Sequence, residues 1–251
     1  MSTAHYTTAN DGRRYQRTIL LLTIMLFGLF ALAVAGIVPY WLLLLTTPIL
    51  IVRWMLAVHE IFHICATEQL DWVTRLLPLA LTPLFLGYRE YRDIHFRHHH
   101  YMCTPNDPEY FQLKGGYLSG ICNAVTAPEQ ALYLWLKTHR ITPTLAWQFV
   151  LHLLLFTSMI YLAGWHFLYY WLPARISYGV SNFSFFYLLH RRGHEYGVYK
   201  AHITGIIASL YQLLFGLDAL RATQHHDVHH ANPRIVAHKL NTTSAPISTH
   251  Q

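Results

Sequence analysis

Charged side chains are scarce in this sequence. Asp, Glu, Lys and Arg make up 12% of the 251 residues, whereas hydrophobic residues make up 53%. Soluble domains carry about 25% charged residues. This deficit, together with long apolar runs, points away from a soluble domain and predicts an integral membrane protein.

Cysteine is also scarce. The three cysteines, Cys65, Cys103 and Cys122, form no CxxC pair, so neither a disulfide framework nor a thiolate zinc site is supported.

The formal net charge is +6, but the Lys and Arg residues flank hydrophobic runs and form no separate patch. We therefore expect no nucleic-acid partner. A membrane surface, or an acidic electron-donor protein, explains the positive charge better.

Long apolar runs predict an all-α integral membrane fold with about four transmembrane helices. The predicted spans cover residues 18–38, 41–65, 145–163 and 165–189. The first run could also be read as a signal peptide, since basic residues precede it and Ala31-Leu32-Ala33 resembles a cleavage site. It is long for a signal sequence, however, and Pro39-Tyr40 leads directly into the next run.

Two further segments are predicted to lie at the membrane surface. Residues 72–88 are apolar but are broken by Pro78 and Pro83, which favours an interfacial or re-entrant segment. Residues 203–220 predict a helix lying on the membrane.

Basic residues fall on one side of this four-span arrangement, which places both termini and every histidine cluster in the cytoplasm. We expect a polar N-terminus over residues 1–17, one membrane domain over 18–235 and a polar tail over 236–251. With no clear transit peptide or retention signal, a bacterial inner membrane is favoured.

Histidine is abundant, with 19 residues, and the first cluster is His59-Glu60-Ile61-Phe62-His63. On a helix, positions i and i+4 share a face, so His59 and His63 can bind one metal ion. Alone, this HExxH pattern is equally typical of a zinc metalloprotease.

Two further clusters follow the pattern HxxHH, in which positions i, i+3 and i+4 share one helix face. They are His95-Phe96-Arg97-His98-His99 and His226-Asp227-Val228-His229-His230. The three clusters offer eight imidazoles, more than one zinc ion uses, and so predict two metals. Nitrogen ligands suit iron, copper or zinc, and two irons with open positions suit oxygen activation.

The order of these clusters resembles the membrane fatty-acid desaturase and hydroxylase superfamily over about residues 40–235. The stretch from His99-His100-Tyr101 to Asn106-Asp107-Pro108-Glu109 resembles it too. The resemblance implies a cytosolic cap with two iron ions, O₂ as co-substrate and a lipid or acyl substrate. It also implies an electron donor such as ferredoxin or a b-type cytochrome.

In acyl-CoA desaturases of this type, an Asn-x-x-x-His segment after the fourth span supplies a further ligand. His194 matches that histidine, and His190, which stands in the Asn position, is a further candidate. Carboxylates that accept the second ring N–H of a ligand histidine orient it. Asp107 and Glu109 are the best candidates for this role; the other candidates are Glu60, Asp93, Asp218 and Asp227.

The resemblance favours a desaturase that introduces a double bond into a fatty-acyl chain. Trp54, Phe62 and Phe186 are candidates for the tunnel lining, and Arg89, Arg92 and Arg97 are expected to face lipid phosphates more than a substrate head group.

Other functions stay open. Glu60 and the stretch from His229 to Pro233 resemble alkane hydroxylases, and carotenoid hydroxylases and ketolases share the boxes. The HExxH pattern keeps an intramembrane zinc protease open, and the histidines alone would also fit a non-catalytic metal-binding or transport protein.

Overall fold

The computed structural model describes residues 7–71, 74–75 and 84–241, and these residues are mostly α-helical. The helices within the described residues are α1 (Ala9–Val34), α2 (Trp41–Ile64), α3 (Tyr88–Tyr101), α4 (Tyr117–Val125), α5 (Ala127–Thr138), α6 (Pro143–Ala163), α7 (Leu168–Asn182), α8 (Gly205–Phe215), α9 (Leu217–Gln224) and α10 (His226–Ala231). A π-helix, Phe183–Leu188, continues α7. Two short antiparallel strands follow it, β1 (Arg191–Arg192) and β2 (Glu195–Tyr196). The all-α prediction is confirmed.

Helix α1 begins at Ala9, nine residues before the apolar run that starts at Thr18. The side chain of Asp11 accepts hydrogen bonds from the backbone N–H and the hydroxyl of Thr8, at 2.6 and 2.9 Å. This local cap satisfies N–H groups that would otherwise be unpaired at a helix start. Part of the expected polar N-terminus is therefore helical.

Helices α1 and α2 pack side by side in opposite directions. The indole of Trp54, which is fully buried, donates to the hydroxyl of Thr23 at 3.1 Å. Eleven residues away on each helix, Gly12 packs against Ile64 and Cys65. On its other side α2 packs against α7, so α2 is the central helix of the membrane part.

Helices α6 and α7 form a hairpin. Gly164 has φ +57°, a conformation that other residues rarely adopt, and it ends α6 at the turn. The rings of Phe156, eight residues before Gly164, and Trp171, seven residues after it, then meet with centroids 4.9 Å apart. In one straight helix these two residues would be about 22 Å apart.

Within the described residues, three stretches are long and apolar enough to cross a membrane: Ala9–Val34, Trp41–Ile64 and the 46-residue stretch Pro143–Leu188. The third contains the hairpin of α6 and α7. The hairpin is consistent with two crossings, and the count of four spans stays a prediction.

Gly179 lets α4 approach α7 closely. A Cβ atom at Gly179 of α7 would lie 2.5 Å from the side chain of Val125 in α4, so a larger residue there would push α4 away. The hydroxyl of Tyr88 binds the carbonyl oxygens of Ile61 and Cys65 at 2.9 and 2.8 Å. This contact fixes the start of α3 against the end of α2.

Other predicted segments are only partly described. The segment predicted at the membrane surface over residues 72–88 lies largely outside the described residues. The surface helix predicted over 203–220 is broken at Gly216, with φ +93°, into α8 and α9. The chain stays packed beyond the predicted domain end at 235, since Val236, Ala237 and Leu240 are buried.

Candidate metal centre

The end of α2 carries the first histidine pair, His59 and His63, one turn apart. Glu60 between them is 1% exposed, and its two carboxylate oxygens have separate partners. One lies 3.0 Å from Nδ1 of His59, and the other accepts a hydrogen bond at 2.7 Å from the backbone N–H of Ala237. Glu60 therefore orients His59 and leaves its Nε2 free to bind a metal.

Helix α3 presents its histidines in two directions. His95 and His99 point to His63: the Nε2 atoms of His95 and His63 lie 2.7 Å apart, and those of His99 and His95 lie 3.2 Å apart. His98 points the other way, and its Nδ1 lies 2.9 Å from Oδ2 of Asp107, in a pair that is almost fully buried. One helix therefore contributes to two sites.

The histidines separate into two groups, each with ligand atoms within 4.8 Å of one another. The first group consists of His59, His63, His95, His99 and His229, and the second of His98, His190 and His230. His226 stands beside the second group, because its Nε2 lies 3.4 Å from Nε2 of His190. His229 and His230 are adjacent in α10, and each belongs to a different group. The same is true of His98 and His99 in α3. This division fits two neighbouring metal ions.

A π-helix orients the imidazole of His190. π-Helices are rare in proteins, but those that occur are often found at functional sites. The carbonyl oxygens of Phe185 and Phe186, in the π-helix, lie 3.0 and 3.2 Å from Nδ1 of His190. If Nδ1 donates to these oxygens, Nε2 keeps its lone pair for a metal, and this Nε2 lies 3.1 Å from Nε2 of His230.

His194 is placed differently from the sequence prediction. It lies in the exposed turn between β1 and β2, and it belongs to neither histidine group within the described residues. His190, the less favoured candidate, is 1% exposed and lies inside the second group. The hairpin turns the chain outward directly after the π-helix, a tertiary feature that the residue spacing did not reveal.

The carboxylates predicted to orient the histidines differ in what they contact. Asp107 contacts His98, and its oxygens accept hydrogen bonds from the backbone N–H groups of Cys103 and Glu109 as well. Glu109 accepts a bond from the amide of Gln112 and lines the cavity described below. Asp227 has one buried oxygen without a hydrogen-bond partner in the described chain. Asp93 is exposed, and Asp218 contacts Arg14 and Tyr15 at the start of α1.

Burial keeps most of these imidazoles in the neutral form that metals require. Burial, followed by neighbouring histidines, lowers the pKa of His95 and His229 far below its ordinary range. The same causes lower the pKa of His99 to about 2, and burial with His98 nearby lowers that of His190 to about 3. Burial alone would lower the pKa of His98, but its bond to Asp107 and the negative charges of Glu109 and Asp107 together outweigh burial and raise it.

The close nitrogen atoms fit a bound cation. A neutral imidazole has one N–H and one lone pair on its two ring nitrogens. Nε2 of His95 faces Nε2 of both His63 and His99, and a hydrogen atom on one of these three nitrogens cannot form hydrogen bonds that pair all three. Nε2 of His229 is buried and has no hydrogen-bond partner within the described residues. Converging lone pairs without protons are what a metal ion stabilises, and an all-imidazole set suits iron, copper or zinc.

One apolar cavity reaches the histidines from between α2 and α7. Trp54, Phe62 and Phe186, the three aromatic residues predicted for a tunnel, all line it. Histidines from both groups line it as well: His59, His95, His98, His190, His226 and His230. Its other polar lining includes Glu109, Ser181 and Asn182, and burial raises the pKa of Glu109 to about 8. A long apolar chain in this cavity would therefore end beside the histidine groups.

A family model described as fatty acid desaturase matches residues 35–248 of the chain. No curated protein and no solved structure matches it.

Proposed function

The chain belongs to the fatty acid desaturase family, and from this membership we propose that it is a membrane di-iron enzyme that uses O₂ to introduce a double bond into a fatty-acyl chain. The observation that carries the proposal is that two histidine groups meet at one apolar cavity. Family membership supports a lipid oxidoreductase, and the metal count and the double-bond reaction are our proposal.

The overall reaction balances with two electrons from a donor. One O₂, two electrons, two protons and a saturated –CH₂–CH₂– segment give –CH=CH– and two water molecules. Two irons, when bound, would supply the O₂ activation that no side chain of this protein can supply. The chain has to hold the metals, exclude water and fix one methylene pair beside them.

Named residues fit these tasks. Glu60 and Asp107 hold His59 and His98 through Nδ1, and the backbone of the π-helix holds His190 in the same way. Trp54, Phe62 and Phe186 make the cavity wall apolar, so they keep water away and favour an extended hydrocarbon.

A hydroxylase or ketolase acting on a carotenoid, an alkane or another lipid is the second candidate. The polar side chains of Ser181, Asn182 and Glu109 in the cavity lining favour it, because they could bind an oxygen atom on the substrate or product. A hydroxylation uses one O₂, two electrons and two protons, and it forms one C–O bond and one water molecule. A ketolase would carry out this reaction twice on the same carbon, and the resulting diol would lose water to give the ketone.

The arrangement of Glu60 argues against a zinc protease. A protease of the HExxH type needs the glutamate as a general base beside the metal-bound water. Here both carboxylate oxygens of Glu60 already have partners, which are Nδ1 of His59 and the backbone N–H of Ala237. With the histidines of α3 and α10, the number of candidate ligands also exceeds the three protein ligands that one catalytic zinc uses.

Electron donor and orientation belong to the proposal as well. We infer that a ferredoxin or a b-type cytochrome supplies the electrons and that the cap and both termini face the cytoplasm, in a bacterial inner membrane. The basic residues beside the apolar stretches support this orientation.

The test is turnover of the purified chain in membranes with O₂, a reduced donor and labelled acyl chains. We expect about two irons per chain and an alkene product. The control is the same preparation with His98→Ala and His229→Ala, one ligand from each group. Zinc at one ion per chain would overturn the metal assignment, and an oxygenated product without alkene would favour the second candidate.

A further inference from the structure

Arg53 is the one Lys, Arg, Asp or Glu residue in α2 besides Glu60. It lies inside a helix that is long and apolar enough to cross a membrane. Charged residues in such helices are costly and are usually functional, with an identifiable partner.

The register of α1 and α2 gives the depth of Arg53. Thr23 is level with Trp54 and Gly12 with Ile64 and Cys65, so Arg14 is level with the end of α2. Arg53 then lies about 15 Å deeper than Arg14 along the helix axes. Both side chains nevertheless line one cleft, which runs from the end of α2 toward the membrane interior.

We call this space the arginine cleft. It is lined by Arg14, Tyr15, Thr18, Arg53, Leu56, Ala57, Gly216, Leu217, Asp218, Arg221 and His238. It lies between α1, α2 and α9, and it is a space distinct from the apolar cavity.

The cleft has more positive than negative charge. Arg14 pairs with Asp218 at 2.9 Å. Arg53 donates to the carbonyl oxygens of Leu213 and Leu214, and Arg221 donates to that of His238. Among the described residues, no carboxylate lies within 4.0 Å of Arg53 or Arg221, and the segments outside the description contain no Asp or Glu. Three arginines thus face one carboxylate.

The arginine cleft adjoins the apolar cavity. Leu56 lines both spaces, and Ala219, which lines the cavity, follows Asp218 of the cleft in α9. An extended chain that left the cavity past Leu56 would enter the cleft. Arg92, one of the arginines considered from the sequence, is instead bound to the carbonyl oxygen of Phe62.

We propose that the arginine cleft binds the phosphate head group of an acyl lipid whose chain occupies the apolar cavity. Guanidinium groups bind phosphate with two parallel hydrogen bonds, and Arg53 and Arg221 have N–H groups left for this. The inference rests on the proposed function in one respect, that the occupant of the cavity is an acyl chain.

The experiment is a competition for the purified full-length chain in detergent. Equal amounts of dioleoyl phosphatidic acid and dioleoylglycerol, which share their acyl chains, are added, and bound lipid is counted by native mass spectrometry. Because hydrogen bonds to charged groups contribute about one factor of ten each, we expect a preference of at least about tenfold for the phosphate lipid. R53Q/R221Q should reduce it to within about twofold.

The matched control is R13Q/R17Q, which removes two exposed arginines from the same end of α1 outside the cleft. It should keep the preference. An equal loss in this control would mean that lipid phosphates bind the whole basic surface, and would overturn the cleft assignment. Inorganic phosphate that displaces the lipid at equal concentration would overturn it too, since the acyl chain would then add nothing.

Arg53→Gln also releases the end of α8, so a charge-preserving variant is needed. R53K/R221K should keep at least half of the preference, and a complete loss there would show that the effect comes from α8 and not from charge. The assay uses neither O₂ nor a donor. Absent turnover with intact lipid preference therefore counts against the proposed function, and absent preference with intact turnover counts against the arginine cleft.

Discussion

Glu60 and Ala237 are 177 residues apart in sequence, yet the carboxylate of Glu60 accepts a hydrogen bond from the backbone N–H of Ala237 at 2.7 Å. The other carboxylate oxygen holds His59. The segment around Ala237 is fixed in turn by α1, because Asp11 pairs with Lys239 at 2.8 Å and with His238 at 3.1 Å. The start of α1, the C-terminal segment and the first histidine group therefore form one connected network.

The first prediction concerns Glu60. Glu60→Gln replaces a charged acceptor by a neutral amide that also carries donors, so His59 loses its orientation. Changes in such supporting partners usually reduce metal affinity 10–100-fold, and we expect a reduction of about this size for one of two irons. Iron titration followed by optical or Mössbauer spectroscopy measures it.

The control for Glu60 is Glu195→Gln, which changes an exposed glutamate in β2. It should bind iron like the unmodified chain. Unchanged iron affinity in Glu60→Gln would contradict the orienting role.

The second prediction compares His190 with His194. His190→Ala removes a buried member of the second group and should lower the iron content to about one per chain and abolish turnover. His194→Ala changes an exposed turn residue and should leave both within about twofold. Metal analysis and turnover of the two variants in parallel decide the point. A larger loss of iron and turnover in His194→Ala than in His190→Ala would assign the ligand to His194.

The third prediction concerns Asp107. Asp107→Asn preserves size but replaces the charged acceptor beside His98, and the expected result is a 10–100-fold weaker second iron with the helices intact. Helical content by circular dichroism should stay unchanged, which separates this effect from misfolding. The exposed Asp93→Asn on α3 is the matched control, and equal effects of the two changes would refute the role of Asp107.

The fourth prediction is a pH dependence of the metal-free protein. The pKa of His99 is about 2 and that of His190 about 3 in the folded chain, against 6.5 ordinarily, because both are buried. Below pH 6.5 the unfolded chain takes up protons that the folded chain does not. The free energy of unfolding should therefore fall as the pH decreases, by up to about 1.4 kcal/mol per pH unit for each group.

Thermal unfolding of chelator-treated protein at pH 7, 6 and 5 measures this slope. The variant with His99→Gln and His190→Gln should show a smaller slope. A slope that does not change in this variant would assign the pH dependence to other groups.

The fifth prediction separates the cavity from the metals. Ser181→Trp places a large ring in the cavity from its wall on α7. Turnover should therefore fall at least about tenfold while iron content stays the same. Ser184→Trp, three residues further along the chain and outside the cavity lining, should be tolerated. Loss of iron in Ser181→Trp would mean that the cavity and the metal centre cannot be varied independently.

Several features followed from the sequence because they are local. Apolar runs predicted the membrane-crossing stretches, since span length depends only on consecutive residues. HxxxH and HxxHH spacings predicted which imidazoles share a helix face. The desaturase family was also recognisable from the clusters themselves, and the family match confirms it.

Only the tertiary structure decided how the clusters combine. Adjacent residues such as His98 and His99 point into different groups because successive helix positions face about 100° apart, and α2, the π-helix and α10 approach α3 on different sides. The π-helix and the hairpin after it bring His190 inward and leave His194 exposed. The contact of Glu60 with Ala237, and the arginine cleft beside Arg53, join segments that are far apart in sequence, and no local pattern specifies such contacts.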